Sequence, residues 1–270
     1  MAPLFSSWAA DNNLLVEYSK GSLPTKPTFR DVDSIVTLPD TTQPDGTSRS
    51  DGGARRGLRE PVNGITHLVG VGLALVVSVL LPLLTSDGGL TVFALLLFGV
   101  SSLVLFSASS LLHSVRAPPR TETWLRRFDH GAIFVLIAGS YTPVLLIAVL
   151  PGYPRLAWWL FGVVWLLALA GVAFKIAWIG APRWLSTGLY LAMGWLVVLA
   201  IVPVARSLGL TNMLWLAAGG LFYSVGAVIY ATKKPDPVPG VFGYHEIWHL
   251  FVLAGWACHA TLVFRLALSA

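Results

Sequence analysis

One cysteine, Cys258, is all that the chain contains. No intrachain disulfide is therefore possible, and disulfides carry no information about compartment. Charge is equally scarce: 11% of the 270 residues are Asp, Glu, Lys or Arg, against 55% hydrophobic, and the mean hydropathy is +0.72. A soluble domain carries about 25% charged residues, so a soluble enzyme or binding module is excluded and a multi-pass membrane protein, most naturally of the cell (plasma or inner) membrane, is implied. The N-terminus shows no basic segment leading into a short apolar run, so a cleaved signal peptide is not expected.

The scarce charge is unevenly placed. Residues 1–60 hold eight of the thirteen acids and seven of the eighteen Lys and Arg, among clusters of Pro, Ser, Thr, Asp and Gly. Such a stretch cannot bury enough apolar surface to fold alone, which predicts a disordered polar arm over 1–54 and a membrane domain over 55–270. Beyond residue 60 there remain eleven basic and five acidic residues. Basic loops beside lipid account for this excess, and no nucleic-acid partner is expected.

Apolar stretches of bilayer-crossing length recur at 62–84, 90–112, 129–150, 157–178, 184–205, 212–232 and 244–268. They predict an all-α, seven-transmembrane helix bundle whose short connections make successive helices antiparallel neighbours. Eleven flanking Lys and Arg, among them Arg116, Arg120, Arg126, Lys175, Arg183 and Lys233, fall on one side, and Arg155, Arg206 and Arg265 on the other. The positive-inside rule then places the N-terminus in the cytoplasm and the C-terminus outside. Trp124, Trp158, Trp159, Trp178, Trp184 and Trp215 fall near span ends, where they read as interfacial anchors.

Laid out on these spans, the intramembrane polar residues gather in one layer near the cytoplasmic boundary. Glu60, Asn63, Thr66 and His67 open the first span, Ser109 and His113 close the second, Asp129 and His130 open the third, and His245, Glu246 and His249 open the seventh. Ionisable groups in hydrocarbon are costly unless paired or coordinated, so one shared site is the economical reading. His245 and His249, four apart on a helix, point the same way. With His113 they make a three-nitrogen set for Zn²⁺ that leaves a fourth position for water, the pattern of a catalytic zinc.

Simpler readings stand beside these. His113 suits a helix end, Ser109 can bond a backbone carbonyl, and Asp129 can serve as an N-cap or, beside a metal, orient or deprotonate the water. Glu60, Asn63 and His67 share one face, as a packing cluster or as outer support for the ligands. His130 points about 100° away from Asp129 and stays outside the ligand set. His259 lies too far along the last span to reach the same ion and is expected to meet a polar partner or the outer interface.

Four segments, Glu60-Pro61-Val62-Asn63-Gly64-Ile65-Thr66-His67, Ser109-Ser110-Leu111-Leu112-His113, Asp129-His130-Gly131 and Gly243-Tyr244-His245-Glu246-Ile247-Trp248-His249, together resemble the hemolysin III family. That family is the largely bacterial branch of the progestin and adipoQ receptor (adiponectin-receptor-like) superfamily. Gly139 to Pro143 and Tyr190 to Trp195 are also similar to its signatures. The resemblance implies a seven-helix fold with the N-terminus inside and a zinc held by His113, His245 and His249, with Ser109 and Asp129 near its water. In the receptor branch this site is associated with hydrolysis of the ceramide amide bond. His245 to His249 also satisfies the H-E-x-x-H pattern of zinc proteases, in which the intervening Glu is the base, so the base here is either Asp129 or Glu246.

The leading expectation is thus a zinc-dependent hydrolase of a lipid amide such as ceramide, working on membrane lipids. The alternatives are a zinc-stabilised receptor or sensor without catalysis, a cytolytic protein and an intramembrane metalloprotease.

Overall fold

The computed structural model describes residues 58–269; the expected arm over 1–54 lies outside the described residues. The chain runs through α1 (Pro61–Leu84), α2 (Gly89–Ser114), α3 (Pro119–Pro143), α4 (Pro154–Ala177), α5 (Arg183–Gly194), α6 (Ile201–Thr232) and α7 (Tyr244–Ser269). There is no β-sheet among the described residues, where a lone antiparallel bridge joins Val238 to Phe242 before α7. Pro61, Pro119 and Pro154 open α1, α3 and α4. In the first turn a proline loses no helical hydrogen bond and arrives with φ already set.

α3 begins at Pro119, ten residues earlier than its apolar run, because Pro119 to Phe128 is itself amphipathic and braced by an i,i+4 pair, Arg126 to Glu122 at 2.9 Å. Asp129 therefore lies inside the helix, not at its mouth, and the N-cap reading is overturned. At its other end α3 meets Pro143, which lacks an amide donor and crowds the preceding turn. The helix widens there into a π-helical turn, Val144–Val149, closed by Leu150 N–H donating to Leu145 O at 2.9 Å.

Six helical stretches are long and apolar enough to cross a bilayer: 61–84, 89–114, 119–149, 154–177, 183–232 and 244–269. The fifth, of 50 residues, takes in both expected spans 184–205 and 212–232. It is broken at Gly209, whose φ of 68° and ψ of 173° are open to glycine and to few other residues. Arg183 Nη1 donates to Tyr230 O at 3.4 Å, and Trp195 Nε1 to Ser224 Oγ at 3.0 Å. A continuous helix would hold those pairs about 70 and 44 Å apart, so this stretch doubles back on itself. Tyr141 secures the transition after α5: its hydroxyl donates to Gly194 O at 2.7 Å and accepts from Val197 N at 2.8 Å, as the helix tightens into a 3₁₀ turn, Trp195–Ala200.

The stretch 119–149, α3 with its π-helical turn, is the hub and the most buried of the six, whereas α1 is among the least buried. One core cluster joins α3 to α4, α5 and α6 through Phe134, Tyr141, Leu160 and Val204. Another joins α1, α2, α3 and α7 through Ala74, Phe106, Leu136 and Trp256. Outward, large apolar side chains such as Leu68, Val69, Leu83 and Leu199 are exposed along most of the helix lengths. Apolar surface on that scale belongs against lipid tails, and all six tryptophans expected at span ends are exposed. The chain is a multi-pass integral membrane protein.

Candidate metal centre

The start of α1 is stitched to the end of α2. Glu60 N–H donates to His113 O at 2.8 Å, Arg59 N–H to Ser114 O at 3.3 Å and Ser110 Oγ to Gly64 O at 3.1 Å. Gly64 permits this approach, since a Cβ there would meet Ser114 Oγ at 2.6 Å. This register sets the Glu60 carboxylate against the His113 ring, Oε2 to Nδ1 at 2.6 Å. Glu60, just outside the first span, has its pKa held down at about 2, chiefly by that bond and against the opposing effect of burial. With Nδ1 engaged, the other ring nitrogen of His113, Nε2, is buried and has no hydrogen-bond partner.

α7 delivers the other two imidazoles. His113, His245 and His249 form a nearly equilateral triangle with ring centres 5.0, 4.8 and 4.9 Å apart. One potential ligand atom from each lies within 4.8 Å of the others. His249 Nδ1 is also buried without a partner. Buried polar groups ordinarily find a partner, and three convergent imidazoles with unsatisfied nitrogens are a group that could hold a metal ion.

The expected supporting residues surround this triangle. His67 stacks on His249 with ring centres 3.9 Å apart and planes 16° from parallel. The Phe106 ring in turn meets His67 edge-on at 5.2 Å, and it fits beneath α1 because Gly70 has no side chain. Asn63 Nδ2 donates to Glu60 Oε2 at 3.1 Å and to Glu246 Oε1 at 2.8 Å, tying α1 to α7. Glu246 Oε2 accepts Gly243 N–H at 2.8 Å. Glu246 is thus a helix-opening cap that returns to the backbone before α7, and both of its oxygens are occupied.

Asp129 and Ser109 face a cavity of about 690 Å³ whose wall also includes His67, His245 and His249. The Asp129 side chain is 13% exposed, and its one ion-pair contact among the described residues is His130 Nδ1 at 3.5 Å. The His130 Nδ1 itself bonds Arg126 O at 2.8 Å, so this ring stays out of the triangle as expected. His259 meets the Leu216 carbonyl, Nε2 to O at 3.3 Å, on α6. It has the polar partner expected of it.

Sequence reasoning missed Lys175, Ser186 and Thr187. Lys175 reads as a loop charge, whereas it lies in the last turn of α4 and is 1% exposed on the cavity wall. Its place at the very end of a long apolar run gave no sign that the side chain turns inward.

The family model for Haemolysin-III related proteins matches residues 56–260. Over 200 residues, 73% of the chain, it is 42% identical to the Hemolysin-3 homolog of Bacillus subtilis (strain 168), covering 89% of that protein. It is 41% identical over the same length to Hemolysin-3 of Bacillus cereus, covering 87% of it. A more distant match, 27% identical over 169 residues, spans 56% of the chain and 41% of the Heptahelical transmembrane protein ADIPOR3 of Oryza sativa subsp. japonica. A chain matched by that model over most of its length, and by those bacterial relatives over most of theirs, belongs to the haemolysin III family.

Proposed function

We propose that this protein is an intramembrane zinc-dependent hydrolase of a lipid amide or related acyl bond, with His113, His245 and His249 as the zinc ligands. The observation that carries the reading is the placing of the imidazole triangle beside a cavity that also contains Asp129 and Ser109. Its volume, about 690 Å³, is in the range of small-molecule sites. Three nitrogen ligands suit zinc and leave one position open. Zinc held there would supply Lewis acidity toward a substrate carbonyl.

The remaining steps belong to the chain's own residues. Glu60 and His67 hold the His113 and His249 rings in their orientations, which is how outer partners tune a metal site. Asp129, whose carboxylate has no hydrogen bond to the backbone among the described residues and one ion-pair contact, with His130, accepts a proton from the attacking water and returns it to the leaving amine nitrogen. Addition of water across the C–N bond then gives a fatty carboxylate and an amine. Glu246 is committed to capping α7 and to Asn63, which favours Asp129 as the base. Ser109, buried on the same wall, is placed to hydrogen-bond the substrate carbonyl.

In the bilayer we read seven crossings, with the stretch 183–232 making two of them about Gly209. The doubling-back of that stretch supports this count, as does the word heptahelical in the name of the rice relative. The basic-residue imbalance places the N-terminus in the cytoplasm. Incubation of purified protein with labelled lipid amides, ceramide first, tests the activity: fatty acid release that depends on metal supports it, and metal-loaded protein without turnover on any lipid amide refutes it. The second reading is a zinc-stabilised receptor or sensor, favoured by the way the three histidines link the end of α2 to the start of α7. In that case metal removal loosens the bundle without any turnover to lose.

A further inference from the structure

We infer that the cavity holds a phosphate-bearing ligand, with the phosphate seated on Lys175, Ser186 and Thr187. This deepens the proposed lipid site by naming a charged group on its ligand, and it rests on that reading of the cavity.

Lys175 is the starting point. Its side chain is 1% exposed, and Nζ donates to Ser186 Oγ and lies 5.4 Å from the centre of the Phe174 ring. No carboxylate among the described residues forms an ion pair with it. An ammonium carries three N–H donors, and one hydroxyl does not offset the cost of burying the charge. The neighbouring Thr187, 4% exposed, has a buried hydroxyl with no hydrogen-bond partner. All three residues line the cavity, so the unused donors face a space that a ligand can enter.

The surroundings are cationic. Asp129 is the one acidic side chain on the cavity wall, against Arg126, Lys175 and Arg183. Arg126 is engaged by Glu122 at 2.9 Å, which leaves Lys175 and Arg183 without acidic partners among the described residues. Arg183 opens α5 and lies over the Tyr230 and Tyr244 rings at 4.8 and 5.4 Å. Ser186 and Thr187 follow in the first turns of the same helix, whose N-terminal end favours negative charge. An ammonium, two hydroxyls and a guanidinium at a helix start match the charge and the several acceptor oxygens of a phosphate monoester better than the two oxygens of a carboxylate.

The source of the phosphate is a lipid headgroup or the free ion, and one experiment separates them. Full-length protein in nanodiscs of uncharged lipid is titrated with oleoyl-lysophosphatidate, monoolein, oleate and inorganic phosphate, with zinc content measured in parallel. Wild-type protein is expected to bind the lysophosphatidate about tenfold more tightly than monoolein or oleate. Lys175→Met should abolish that preference with monoolein affinity and zinc content unchanged, Lys175→Arg should keep it, and Thr187→Val should reduce it about threefold. Displacement of the lysophosphatidate by inorganic phosphate assigns the free ion, and failure to displace it assigns the lipid headgroup. Equal affinity for lysophosphatidate and monoolein, or for lysophosphatidate and oleate, overturns the phosphate site while leaving the lipid cavity standing. Binding of neither lipid overturns both. If Lys175→Met does not fold, the wild-type preference and Thr187→Val decide.

Discussion

The Glu60 carboxylate and the His113 imidazole are joined at 2.6 Å, Oε2 to Nδ1, so the residue that opens α1 determines which nitrogen of a residue closing α2 is left free. Glu60→Gln keeps the shape but removes the charge that holds the ring in place. Zinc affinity, measured by competition with a chelator, should fall about 10- to 100-fold. Unchanged affinity would show that the pair only fastens α1 to α2.

Removal of any one imidazole of the triangle opens the site. His113→Ala, His245→Ala and His249→Ala should each lose most of the one zinc per chain expected by elemental analysis of purified protein. His259→Ala should retain it, because that ring is held at the Leu216 carbonyl. Full stoichiometry in all three ligand variants would end the metal assignment.

Asp129 and Glu246 are separated by what already binds them. Asp129→Asn should keep zinc and lower hydrolysis by about two to four orders of magnitude. Glu246→Gln weakens the cap of α7 and should cost at most about 1 kcal/mol of stability, with turnover little changed. The reverse ranking would mean that the H-E-x-x-H pattern operates as it does in zinc proteases.

Two glycines of α1, two positions apart, give opposite expectations. A Cβ on Gly70 would lie 2.5 to 2.8 Å from three atoms of the Phe106 ring, whereas one on Gly72 would meet nothing within 4 Å. Phe106 is fully buried and has nowhere to move, so Gly70→Ala should destabilise by about 1 to 3 kcal/mol. Gly72→Ala should gain up to about 1 kcal/mol of helix propensity. Thermal unfolding in detergent, with the two variants side by side, checks the contrast.

Much of this was legible in the order of residues. Hydropathy marked α1, α2, α4 and α7 to within a few residues, and the spacing of His245 and His249, with His113 at equal depth, picked out the three imidazoles that the fold brings together. The helical Pro119 to Phe128 segment escaped notice because polarity hides a helix from a hydropathy argument, and with it went the position of Asp129. Gly209 was unremarkable among many glycines, since a left-handed φ is a property of the folded backbone. Lys175 was misplaced for a different reason: charge near a span end is ordinarily drawn to water, and only the packing of α4 against α5 turns it inward.

The orientation is testable without the metal. A reporter at Met1 should read as cytoplasmic and one at Ala270 as external, given the basic-residue imbalance. Both ends on one side would mean an even number of crossings and would remove the support for seven.

The triangle draws one imidazole from α2 and two from α7, with α3, α4, α5 and α6 between them in the chain. Neither α2 nor α7 can form the group without the other. The three imidazoles meet only when both ends of the described chain are packed together, so their convergence is a late product of folding and not a property of any one segment.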